Sequence, residues 1–98
     1  MKESRPLLLV RLCSDKAGFE ALPQRKLTFR MSEVRRLLET EGRYEVVVET
    51  PYIMVLKNSS GVEVTLSEDG RMLIKRVSGE EEANTVAHEI LKVIKPSG

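Results

Sequence analysis

Between residues 61 and 95 the chain spells out a strand, a turn, a second strand and a capped amphipathic helix. Residues 62–66 alternate apolar and polar side chains, the period of a half-buried strand, and residues 71–77 form the next one. The loop between them sets their register. A two-residue Asp69-Gly70 turn would oppose Val64 to Lys75. A three-residue loop with Gly70 left-handed pairs Leu66 with Met72 and Val64 with Ile74. That loop also sets Glu63 opposite Lys75, a favourable cross-strand pair. Ser78 and Glu81 then stand at capping-box spacing. Ala83, Val86, Ala87, Ile90, Leu91 and Ile94 recur as one apolar helical stripe, with Glu80, Glu81 and Glu82 at its start, Lys92 and Lys95 at its end, and Pro96 as its stop.

Upstream, residues 44–49 and 52–57 read as two more strands, joined by a Thr50-Pro51 turn and followed by the turn Asn58-Ser59-Ser60-Gly61. Pro51 lacks a backbone donor and belongs in the turn. Before them lies a helix with Ser32 as N-cap, Glu33 in the first turn and Gly42 just past its end. Its Val34, Leu37 and Leu38 share a side with Met31, while Arg35, Arg36 and Glu39 face away. Residues 7–13 are apolar on both faces, as in a buried strand. Residues 14–27 suit either one helical turn capped by Ser14 and Asp15 or plain loop, and 26–30 alternate enough for a short strand. Residues 1–6 are expected to be a frayed start. The expected fold is a single α+β domain over residues 1–98. Its antiparallel sheet has about five strands with two helices on one face, in the order β-α-β-β-β-β-α.

Carrying the turn lengths through the strands sorts the side chains. The helix-covered face is expected to receive Tyr44, Val46, Val48, Ile53, Val55, Val62, Val64, Leu66, Met72 and Ile74. The open face is expected to carry Val47, Tyr52, Met54, Leu56, Thr65, Leu73 and Val77, ringed by Glu45, Glu49, Glu63, Arg71 and Lys75. An exposed apolar patch of that size marks an interaction site, unless residues 14–30 fold back over it. Val47, Tyr52, Met54, Leu56 and Leu73 are therefore the candidate partner-binding residues, for a protein partner or a second copy.

Composition narrows the remaining classes. With 41% apolar and 32% charged residues in 98, the chain is in the range of one soluble globular domain. No apolar run approaches the ~20 residues of a membrane-spanning helix, and residues 7–10 are too short for a signal-peptide core. A lone Cys13 suits a reducing, cytoplasmic setting. One glutamine and two asparagines among many Glu, Lys and Arg match the bias of heat-loving organisms. The net charge of +1 argues against a strong field toward nucleic acid or membrane. Charge is uneven, however. Residues 1–36 hold nine Lys/Arg and four Asp/Glu, a net of +5, and residues 37–98 hold seven and eleven, a net of −4. The two segments are expected to pair with each other.

Gly70-Arg71-Met72-Leu73-Ile74-Lys75, then Ser78-Gly79-Glu80-Glu81-Glu82-Ala83 and Val86-Ala87, resemble one half of the TATA-binding protein. There a glycine turn, an apolar strand and an S-x-E-E-type cap lead into a long helix with small residues facing the sheet. The resemblance covers roughly residues 31–95. It extends to a small family of uncharacterised archaeal proteins with the same half-saddle fold, and it implies that fold. The family binds DNA with the open face of a doubled sheet and wedges paired phenylalanines between base steps. Here there is a single repeat, neither Phe19 nor Phe29 lies in the meander, and carboxylates on the open face would repel phosphates. The resemblance therefore carries over no DNA-contacting residue.

Catalytic chemistry finds little footing. His88 lies opposite the apolar stripe of its helix, without an orienting partner. Cys13 sits in an apolar strand, more a small core residue than a nucleophile. One Cys and one His do not make an ordinary zinc site. Phosphate-loop motifs are absent from the sequence. The expectation is a non-enzymatic domain, without cofactor or metal, that binds a protein partner or a second copy through the open sheet face or an edge strand. The alternative reading is a nucleic-acid-binding module using Arg25, Lys26, Arg30, Arg35 and Arg36.

Overall fold

The computed structural model describes residues 8–12, 18–24 and 27–94. Its elements are β1 (Leu8–Leu12), β2 (Phe19–Pro23), α1 (Met31–Glu41), β3 (Tyr44–Glu49), β4 (Ile53–Asn58), β5 (Glu63–Ser67), β6 (Met72–Lys75) and α2 (Glu80–Ile94). The strands form one six-stranded sheet in the order β1-β2-β6-β5-β4-β3, and every neighbouring pair is antiparallel. The α+β class and the two helices agree with expectation; the strand count rises from about five to six. The added strand is β2, in the stretch expected to be one turn of helix or plain loop. It inserts between β1 and β6, with Ala21 opposite both Val10 and Met72. Residues 27–30, expected to be part of a short strand, are not one. Ser14 and Asp15 lie outside the described residues.

Two loops of the same build set the central register. In each, three residues end on a glycine with φ near 90°, Gly61 at 90° and Gly70 at 91°, a backbone region that costs glycine nothing. Around the first loop, Asn58 N–H donates to Val62 O at 3.1 Å. Asn58 Oδ1 also accepts from the N–H groups of Ser60 and Val62. Around the second, Ser67 N–H donates to Arg71 O at 2.8 Å, and Asp69 Oδ1 accepts from Arg71 N–H. The expected pairs Leu66–Met72, Val64–Ile74 and Glu63–Lys75 are all formed.

Both helices lie on one face. α1 packs on β3, α2 on β1, β2 and β6, and the helices touch each other. All six residues of the α2 stripe are buried, and Met31, Val34 and Leu38 are the buried residues of α1. They meet Ala21, Tyr44, Met54, Leu56, Val62, Val64, Leu66, Met72 and Ile74 in one core.

The helix starts differ from expectation. Extended Arg30 is the N-cap of α1, makes no side-chain cap bond, and leaves Ser32 one residue inside the helix. Phe29 N–H donates to Glu68 O at 2.8 Å and Met31 is buried, so the entering chain is pinned from outside rather than by a serine cap. At α2, Ser78 donates from both N–H and Oγ to Glu82 Oε1, at 2.8 and 3.0 Å. This is not the expected capping box: the helix begins one residue later than the spacing implied, Gly79 O accepts from Ala83 N–H at 3.1 Å, and the Ser78 hydroxyl donates to a carboxylate instead of accepting a backbone N–H. Gly42 closes α1 as expected, donating to Leu38 O at 3.0 Å.

Candidate functional site: the open sheet face

The face away from the helices is built by strand alternation. β6 contributes Leu73 and Lys75, β5 contributes Glu63, Thr65 and Ser67, and β4 contributes Ile53, Val55 and Lys57; in each strand the intervening side chains are buried. β3 adds Glu45 before an irregularity and Val48 after it. Val46 pairs with Leu56 but Val48 pairs with Val55, so one residue is inserted at Val47. Val47, Val48, Tyr52 and Ile53 are 50, 45, 66 and 37% exposed.

This placement corrects the face expected for β4. Met54 and Leu56, two of the five candidate partner-binding residues, are fully buried under the helices. Ile53 and Val55 take their place on the open side. Val48 moves to the open face, and Glu49 to the helix side, where it accepts from Arg35 of α1 at 2.8 Å. Val77, also expected outside, packs against the core. Two slips of one residue account for the inversion of β4, since each such slip turns a strand over. The bulge and a turn in which Thr50 N–H donates to Ile53 O account for one; the three-residue Ser59-Ser60-Gly61 loop accounts for the other. The signal for the second was present: Gly61 follows Asn58 as Gly70 follows Ser67. Of the remaining candidates, Leu73 is half-buried on the open face, and Val47 and Tyr52 are exposed at the β3 bulge and the β3–β4 turn.

The open face is amphipathic. Its middle row runs Val48, Val55, Thr65, Leu73, Glu20 and Arg11, and the row beside it runs Glu45, Lys57, Glu63 and Lys75. Arg11 and Glu20 pair at 3.3 Å, and Glu63 pairs with Arg76 at 3.7 Å. A hollow of about 310 Å³ lies on this face, lined in part by Glu20, Leu22, Thr65, Arg71 and Leu73. No family model, curated protein or solved structure matches the chain.

Of the alternative basic set, Arg30, Arg35 and Arg36 are among the described residues, and the last two are engaged by carboxylates. Arg35 is held by Glu39 at 3.0 Å and Glu49 at 2.8 Å; the bond to Glu49 and then that to Glu39 raise its already high pKa. Arg36 pairs with Glu33 at 3.0 Å, and Arg30 is exposed. Arg25 and Lys26 lie outside the described residues, as does Cys13. His88 is exposed, with Nδ1 2.9 Å from the carbonyl of Asn84. Among the described residues no group of three or more His, Cys, Asp and Glu side chains is placed to hold a metal ion, and no helix is long and apolar enough to cross a membrane. Another hollow, of about 830 Å³, lies on the helix side between residues 27–30, α1 and the end of α2. It is lined by Leu27, Phe29, Val34, Leu37 and Ile94 with Thr28, Arg30 and Glu33, a set without a paired acid and base or an activated nucleophile.

Proposed function

We propose that this chain is a non-enzymatic interaction domain whose open sheet face is its contact surface for a protein partner. The observation that carries the reading is the unpaired apolar strip Val48, Ile53, Val55 and Leu73, flanked by exposed Val47 and Tyr52, on the side both helices leave bare. Exposed apolar side chains grouped on one face, with charges beside them, have the composition of a binding patch. The face is favoured over the sheet edges because the bulge at Val47 interrupts the free ladder of edge strand β3. The half-saddle reading is supported by the order strand, helix, four-stranded meander, helix, here preceded by one more strand. The lone cysteine supports a reducing, cytoplasmic setting.

Capture from native cells tests the reading. Tagged wild-type chain is compared with Leu73→Glu, folding of the variant being verified by circular dichroism. A protein retained by the wild type and lost from the variant is expected. Identical sets of retained proteins would refute the face as the contact surface.

A further inference from the structure

The four charges on strands β3 to β6 alternate in sign across the sheet: Glu45, Lys57, Glu63, Lys75, each directly opposite the next. Glu45, Lys57 and Lys75 have no ion-pair partner among the described residues, and Glu63 reaches only Arg76, at 3.7 Å. Reversing such a row exchanges its signs. From this we propose that the partner at the open face is a second copy of this chain, stacked face to face about a two-fold axis running along the strands between β4 and β5. The proposal rests on the reading of the open face as the contact surface.

That axis sets each strand over a different strand of the other copy, β4 over β5 and β3 over β6, as a self-complementary interface requires. Glu45 then meets Lys75 of the second copy and Lys57 meets Glu63, each contact occurring twice. In the adjoining row Val48 meets Leu73 and Val55 meets the methyl group of Thr65. Neighbouring axes do worse. Centring on β5 sets Glu63 against its own copy and Lys57 against Lys75, while centring on β4 opposes Lys57 to itself. Like charges held together at an interface cost far more than rim pairs contribute. β1 and β2 fall outside the footprint, where Arg11 and Glu20 already pair with each other. Strands about 4.8 Å apart and rows about 7 Å apart give roughly 400 Å² per copy, the size of a weak, concentration-dependent contact.

Light scattering and sedimentation from about 10 µM to 1 mM test this, the range in which a contact of that size is half-formed. The average mass is expected to climb from 11.1 kDa toward twice that value. Val55→Glu, at the centre, should abolish the rise, and Asn84→Lys, on the exposed side of α2, should leave it intact. Lys75→Glu and Glu45→Lys should each weaken self-association about tenfold or more, since each sets two like-charge pairs across the axis. An equimolar mixture of those two variants restores both opposite-charge pairs, and so does the double variant; both should associate within about twofold of wild type. A strict monomer at 1 mM overturns the second-copy proposal and leaves the face reading to the capture experiment. A dimer broken by Val55→Glu but not restored in the mixture overturns the proposed register while the face reading stands. A dimer indifferent to Val55→Glu and to both charge reversals overturns the proposal and the face reading together.

Discussion

Tyr44 is buried in the core, yet its hydroxyl donates to Glu89 of α2 at 2.8 Å, and Arg43 pairs with the same carboxylate. Burial first, and then the bond to Glu89, raise its pKa above the ordinary value of 10.0. The folded chain therefore keeps this proton more tightly than the unfolded one. Its contribution is complete below about pH 10 and is lost as pH rises beyond it. Tyr44→Phe is expected to cost about 1 kcal/mol at pH 7. It should also flatten the decline in stability between about pH 10 and 11. Urea unfolding of both proteins at the two ends of that range is the measurement; equal slopes would contradict the assignment. Gly18 shows a different dependence on distant chain. A Cβ there would lie 2.4 Å from the carbonyl oxygen of Ile74, so β2 and β6 come this close only because the position is bare. Nothing local in residues 14–27 announces that approach, because the atom it must clear belongs to β6.

Among the elements, β4 carries the main lesson about legibility. Ile53, Met54, Val55 and Leu56 are apolar without interruption, so composition does not say which pair turns inward. Register says it, through a bulge at Val47 and a loop ending on Gly61. The expected consequence is a large difference between neighbours. Leu56→Ala, leaving a cavity, should cost about 2–5 kcal/mol. Val55→Ala, on the open face, should cost about 1 kcal/mol or less. Chemical denaturation measures both, and equal losses would mean that the faces are mistaken. The hairpin around Gly70 was legible because only one loop length paired apolar with apolar. β2 was not, since Phe19–Pro23 is short and ends in proline. Strand order places it between two others; its own sequence does little to declare it.

For the molecule as a whole, one core joins both helices to the sheet, with buried side chains from β2 through β6 and Val10 of β1 packed against it. A chain with one such core should unfold in a single cooperative step. Far-ultraviolet circular dichroism and near-ultraviolet tyrosine signals are expected to lose amplitude together on heating. Two resolved transitions would mean that the β1–β2 hairpin melts as its own unit. Among the described residues, the pairing expected between the basic first segment and the acidic remainder is carried by Arg35, which reaches Glu39 and Glu49. Arg11–Glu20 and Arg36–Glu33 pair within the basic segment instead. Exposed pairs of this kind add little to stability, so the charge imbalance did not dictate the packing.

Periodicity and glycine loops were enough to recover α1, α2 and the four-stranded meander, because each depends on contacts within a few residues along the chain. The identity of the bare face was beyond that reach. It follows from the pairing of β3 with β4 and β4 with β5, where a displacement of one residue exchanges inside for outside at no local cost. Met54 and Leu56 are as apolar as Ile53 and Val55. Which of them meets water was decided when the strands came together, and the candidate surface is what that assembly left uncovered.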